Sequence, residues 1–374
     1  MQPGSKEVLL AVKAVGINFR DVLNVLGMYP GDPGAPGSDV AGVVMAKGKQ
    51  STELQASCGA YCAHTNGSTE VALNISRVTL RMIVFETSYL GWPACVSAGS
   101  DCSQLAVGQD VFGLAHGCLG TVVTGPEALL VPMPPAVSYS EASSMPTVFT
   151  TVSATLLQAA ALRPGERVLV HAAAGGVGLA ALQVVASVGA AAVATAGSPS
   201  KRSLLRSLGV SAVVGSRDSV FVGPVSCLGG VDVVLNSLTS PGMVGGSLAV
   251  LKQGGRFVEI GKRDIWAPAA VAAERRDVCF SLVAVDFLPR QVLQQQMLRV
   301  SSLMAAGQIT PLCTANYTLT SVVAAMRLLA QASHVGKVGT VHPTALPPIL
   351  QSSSLILGLW PHHEDRMAAR GRFA

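Results

Sequence analysis

The strongest chemical signal is His171-Ala172-Ala173-Ala174-Gly175-Gly176-Val177-Gly178, where small residues recur at Ala173, Gly175 and Gly178 between an apolar run (167–171) and a helical stretch (176–188). A dinucleotide pyrophosphate needs that spacing. The first small residue permits a tight turn, the second lets backbone amides approach the phosphates, and the third lets helix and strand pack closely. Gly176 and Val177 open the helix, so its N-terminal N–H groups face the negative charge. A carboxylate ending the next strand would select an unphosphorylated ribose, but here the strand ends Ala194-Thr195-Ala196-Gly197-Ser198 and leads into Lys201-Arg202. Ser198, Lys201 and Arg202 can bond a 2′-phosphate that Asp or Glu would repel, which points to NADPH over NADH. The alternative, that Lys201 and Arg202 are solvated first-turn residues of a helix, stays open. Cys58, Cys62 and His64 lie close together, yet no second pair at finger-like spacing accompanies them, so no metal site is assigned.

The elements that must position these groups follow from pattern. Past Pro164-Gly165, strands at 167–171, 193–196, 212–214, 231–235 and 257–260 alternate with helices at 176–188, 201–208 and 244–251, which predicts an α/β, doubly wound parallel sheet. A further strand is expected at 283–287, helices at 292–306 and 321–332, and a last strand at 337–341. Before this block, strands at 7–15 and 40–45 flank a short helix ending near Leu26, and 139–162 reads as one helical stretch bridging two domains. At 374 residues two domains are expected. A composition 49% hydrophobic and 13% charged excludes a disordered or coiled-coil chain, and a net charge of +5 without a Lys/Arg run argues against nucleic acid. No apolar run reaches the roughly 20 residues that span a bilayer, no signal-peptide pattern opens the chain, and the eight scattered cysteines read as reduced thiols, so a cytoplasmic protein is expected.

Several motifs, in order, carry a resemblance: Gly16-Ile17-Asn18-Phe19-Arg20-Asp21-Val22-Leu23, Leu26-Gly27-Met28-Tyr29-Pro30, Arg163-Pro164-Gly165-Glu166, the glycine motif, Val234-Leu235-Asn236-Ser237-Leu238, the stretch 254–265 and His334-Val335-Gly336-Lys337. Together they resemble the enoyl-reductase domain of polyketide and fatty-acid synthases, within the zinc-free, quinone-oxidoreductase-like medium-chain dehydrogenases. The resemblance implies a GroES-like β-rich substrate domain (1–134, returning at 313–342), a Rossmann domain (135–312) and a tail (343–374). It implies reduction of a trans-2-enoyl thioester on an acyl carrier protein, with neighbouring synthase domains as partners. Whether the chain forms a homodimer is left open. Hydride would reach the β-carbon and a proton the α-carbon. Tyr29 is the family's candidate for delivering that proton, given a cation to stabilise its phenolate. Lys201 and Asp218 resemble a proton-donating pair, a role that competes with Lys201 as phosphate ligand. Asn18 either orients ligand or caps its turn. Thr151, Asn236, Ser237, Leu238, Lys262 and Lys337 fall on positions lining the cofactor cleft. The Gly-His-Glu of zinc-dependent alcohol dehydrogenases is replaced by Gly37-Ser38-Asp39.

Two departures stand out. Residues about 50–104 form an insert that is a surface loop, a partner-binding insertion or a translated intron. Ser153 replaces an aromatic residue. A free-standing NADPH quinone or enone reductase and a non-catalytic, structural reductase domain are the competing readings.

Overall fold

Alternate residues of β1 (Glu7–Ile17) are buried until the last four, which are all enclosed. This strand is the spine of the first sheet. In the computed structural model the described residues are 3–48 and 105–342, except 5, 30 and 264; the insert and tail therefore lie outside them. The strands β2 (Asp39–Lys47), β3 (Asp110–Leu114), β4 (Val122–Pro126) and β5 (Leu130–Pro132) follow, and helix α1 (Phe19–Val25) separates β1 from β2. With the late strands β12 (Thr314–Thr318) and β13 (Lys337–Val341) they form a seven-stranded sheet in the order β12-β13-β1-β2-β3-β5, with β4 also on β1. β2 and β3 pair antiparallel across the insert, Val43 opposite Asp110. The register of β1 on β13 sets Ile17 opposite Val338, and that of β1 on β2 sets Gly16 opposite Asp39.

The second sheet contains β6 (Arg167–Val170), β7 (Ala191–Ala196), β8 (Ala212–Gly215), β9 (Val231–Asn236), β10 (Leu251–Glu259) and β11 (Cys279–Leu282). All pairings are parallel, in the order β11-β10-β9-β6-β7-β8. This is the doubly wound Rossmann order, which reverses between β6 and β9 and opens a crevice at the strands' carboxyl ends. The α/β architecture expected from the sequence, a GroES-like unit with a parallel-sheet Rossmann unit, is thus observed.

The bridging stretch is not one helix. It divides into α2 (Tyr139–Ser143), α3 (Pro146–Val152) and a π-helical turn, Ser153–Ala159. Pro146, lacking an N–H, ends one helix and starts the next at its first turn. One apolar core runs through α3, joining Phe112 and Val131 of the first sheet to Val168, Val170 and Val233 of the second. The strand expected at 283–287 is Cys279–Leu282 instead, because pairing with β10 ends at Glu259 and Leu282. Residues Val285–Phe287 form a 3₁₀ turn. The helices of the second unit relevant below are α4 (Gly176–Val188) and α5 (Pro199–Ser207). No helix among the described residues is long and apolar enough to cross a membrane.

Two buried histidines stay neutral. Burial lowers His171 to about 3 and His342 to about 4. The unfolded chain protonates both near pH 6.5, so it takes up protons the native state refuses, and stability falls as pH drops below that value. Urea unfolding should show a loss of about 1.4 kcal/mol for each imidazole between pH 7.5 and 5.5. His171→Gln should remove about half of that pH dependence.

Candidate functional site

The glycine loop is held from three sides. His171 follows β6, with Nδ1 3.1 Å from Thr195 Oγ1 and Nε2 2.8 Å from Ser247 Oγ. Ala173 donates to the Thr195 carbonyl, and Gly336 donates to the Ala174 carbonyl, both at 2.9 Å. A Cβ on Gly178 would lie 2.4 Å from Ala173 Cα, so only glycine lets the helix start this close to the turn. A Cβ on Gly176 would meet Lys337 Cδ at 2.9 Å; the lysine stem lies on the loop. Gly175, the N-cap of α4, and Gly176 and Val177 remain half-buried along the cleft, with Ala173 fully enclosed beneath.

At the ends of β7 and β8 two cations gather. Ser198 caps α5, its Oγ accepting from the Lys201 amide at 3.3 Å. Lys201 Nζ donates to the Ala332 carbonyl at 2.6 Å, and its pKa is lowered by burial and by the charge of Arg217. Arg217 fits against Gly197, where a Cβ would lie 2.8 Å from its Nε. Sequence reading passed over Arg217, although it follows the strand beside β7 and so borders the same crevice. Arg202 Nη1 donates to the Ala196 carbonyl at the end of β7, at 3.1 Å. The expected pairing of Lys201 with Asp218 is not formed: Asp218 Oδ1 accepts from the Val220 amide at 3.2 Å, capping a short 3₁₀ turn.

Between the sheets lies a buried polar cluster. One residue past Ile17, Asn18 falls opposite Lys337. Lys337 Nζ donates to Asn18 Oδ1 at 2.6 Å and to Asp39 Oδ2 at 3.0 Å, with side-chain exposures of 4% for Lys337 and 0% for Asp39. Asn18 Nδ2 bonds Asp39 Oδ2 at 3.0 Å and Ser38 Oγ at 3.2 Å, and Asp39 Oδ1 accepts the Thr147 amide and hydroxyl. Asp21 accepts the amides of Asn18 and Gly37, both at 2.8 Å, though burial still raises its pKa. Through these bonds Asn18 ties the turn after β1 to β2, β13 and α3. Asn236 is fully buried and donates to Glu259 Oε2 and the Leu238 carbonyl, tying the loop after β9 to the end of β10. Ser237 and Leu238 remain half-buried there. Thr151 donates to the Thr147 carbonyl at 2.7 Å, and Ser153 is buried against Gln296.

A second cluster joins the two units. Tyr29 Oη donates to Asp286 Oδ2 at 2.9 Å, and Lys262 Nζ donates to the same oxygen at 2.8 Å. Arg20 Nε lies 3.6 Å from Asp286 Oδ1, with its guanidinium 5.3 Å from the Tyr29 ring centre. A cation does approach the phenol, but its hydrogen-bond partner is a carboxylate. Arg20 and Asp286 were absent from the sequence-based site because their partners lie far apart in the chain. Cys58, Cys62 and His64 lie outside the described residues.

The chain matches the alcohol dehydrogenase GroES-like domain over residues 4–135 and the zinc-binding dehydrogenase family over 208–338. The solved CurK enoyl reductase shares 33% identity at a TM-score of 0.74, covering 92% of this chain and 93% of that one. The chain belongs to the enoyl-reductase family of polyketide synthases. Within it, the Spectinabilin polyketide synthase system protein NorB of Streptomyces orinoci is 37% identical over 93% of this chain. Polyketide synthase GfsB of Streptomyces halstedii is 34% identical over 91%. This enoyl-reductase chain spans only 14% and 5% of those two synthases. The quinone oxidoreductase from Thermus thermophilus, solved also as a complex with NADPH, has 26% identity and a TM-score of 0.67, with 91% of this chain and 93% of that one covered.

Removing one partner of a buried ion pair strands the other charge. Lys337→Met should therefore destabilise this enoyl-reductase fold by about 3–5 kcal/mol. Adding Asp39→Asn should recover part of the loss, as measured by denaturant unfolding.

Proposed function

We propose that the chain reduces the carbon–carbon double bond of a trans-2-enoyl thioester with NADPH, the acyl group being carried on an acyl carrier protein beside other synthase domains. One observation carries this reading. Across the carboxyl edge of the parallel sheet, the loops run in strand order from cations to a phenol: Arg217 after β8, Ser198 and Lys201 after β7, the glycine loop after β6, Ser237 and Leu238 after β9, Lys262 after β10, and Asp286 with Tyr29 after β11. A dinucleotide laid along that edge has its 2′-phosphate at one end and its reactive ring toward the other.

The residues present fit the cofactor. Gly178 leaves the close turn that a side chain would fill, and Lys201 and Arg217 repel each other across a place suited to an anion. When bound, NADPH supplies the hydride to the β-carbon. The amides at the start of α4 would hold the pyrophosphate, while Ser198, Lys201 and Arg217 would hold the 2′-phosphate. With Lys201 placed there, and Asp218 not paired to it, the α-carbon proton falls to Tyr29 Oη. The half-exposed hydroxyl recovers its proton from solvent.

We read this chemistry as zinc-independent on the donor set. Ser38 offers a hydroxyl already bonded to Asn18, and Asp39 is neutralised by Lys337. For the organisation of the chain we propose a substrate unit of 1–134 with 313–342 and a cofactor unit of 135–312, the late strands β12 and β13 supporting the return.

The purified chain should oxidise NADPH, followed at 340 nm, when given crotonyl thioester. Turnover with a quinone and none with thioester would instead indicate a free-standing quinone reductase. NADPH binding without turnover of either would indicate a structural domain. In the Lys201→Ala/Arg217→Ala double variant, NADPH binding should weaken about 10- to 100-fold while NADH binding is unchanged.

A further inference from the structure

Asp286 faces groups from both halves of the cleft. Its carboxylate accepts the Tyr29 hydroxyl and the Lys262 ammonium on one oxygen and lies beside Arg20 on the other, with its own side chain 20% exposed. Tyr29 and Arg20 belong to the segment around α1, on the first sheet. Lys262 and Asp286 follow β10 and β11 on the second. One carboxylate thus clasps the two units at the end of the cleft where the proton is needed.

We propose that Asp286 is the positioning residue for Tyr29: it holds the phenol between the two units with the proton on Oη, until that bond yields and the α-carbon takes the proton. This rests on the enoyl-reductase reading above. The step balances. The hydride forms the new bond at the β-carbon, the double-bond electrons move toward the thioester carbonyl, and the Tyr29 O–H bond breaks as the α-carbon C–H bond forms. Arg20 and Lys262 then offset the phenolate charge.

The charges around the pair agree with that role. From the α1 side come Arg20 and Tyr29, from the loop after β10 comes Lys262, and from the loop after β3 comes His116. Burial and the Arg20 charge lower the His116 pKa, leaving it neutral near pH 7. Against the cost of burial, the bonds from Lys262 and Tyr29 and the nearby Arg20 charge hold Asp286 ionised. Burial and the bond to Asp286 raise the Tyr29 pKa, with Arg20 partly opposing them. Losing the carboxylate charge leaves both cations facing the phenol, so its pKa must fall.

The test is a tyrosinate absorbance titration of the whole chain without substrate, with Tyr29 isolated as the difference from Tyr29→Phe. Tyr29 should ionise above the ordinary value of about 10 in the unaltered protein and about 1 pH unit lower in Asp286→Asn. Asp286→Glu, which keeps the charge, should restore most of the shift, whereas a merely structural defect would not be restored by charge. An unchanged titration in a folded Asp286→Asn protein overturns the proposal. With NADPH and an α-methyl enoyl thioester, Asp286→Asn should also bring the alkaline fall in kcat down by a similar interval; a fall left in place overturns the proposal. If the unaltered protein shows the titration but reduces no thioester, the enoyl reading fails while the Asp286–Tyr29 coupling stands.

Discussion

The buried contact between Lys337 and Asp39 is the constraint on which the two units depend. It joins the last strand of the first sheet to β2, and through Asn18 and Thr147 it reaches the turn after β1 and the start of α3. Taking an ammonium and a carboxylate out of water costs several kcal/mol each, and their attraction offsets this only when the remaining polar atoms are bonded. Here Asn18 and Thr147 supply those bonds, and Ser38 holds Asn18 in place. The arrangement therefore tolerates little displacement: moving β13 would unpair several buried groups at once.

The same lysine has a second surface. Its stem covers Gly176 while the neighbouring Gly336 bonds the glycine loop. The loop is shaped from beneath by β6 and from above by a segment that belongs to the other sheet. Contact between the units is accordingly made by apolar packing through α3, polar locking at Lys337 and a clasp at Asp286, three different physical interactions along one cleft.

Much of this was legible in the residues. The parallel sheet, its order of strands and helices, and the role of Gly178 follow from local periodicity and from contacts only a few residues apart. NADPH preference follows from a missing carboxylate, which is also a local fact. What local reasoning could not supply is pairing over long separations. Arg217 borders the cleft only because β8 lies beside β7, and Asp286 meets Tyr29 only once the two sheets are packed. Asn236 and Asp218 sit at suggestive places in sequence, yet neighbours claim their polar atoms: Glu259 and Leu238 hold the first, and the Val220 amide holds the second. One nitrogen of Arg202 is likewise engaged, on the Ala196 carbonyl that ends β7.

The cover that Gly336 and Lys337 place over the glycine loop bears on how such a reductase can be moved between synthases. The parallel sheet is continuous in the chain from β6 to β11, which invites its transplantation as a cassette ending before β12. The glycine loop would then be capped by a foreign segment whose lysine stem and backbone donor must match it. A junction placed beyond the last strand, after residue 342, carries the cap together with the loop it shapes, and is the natural unit of exchange.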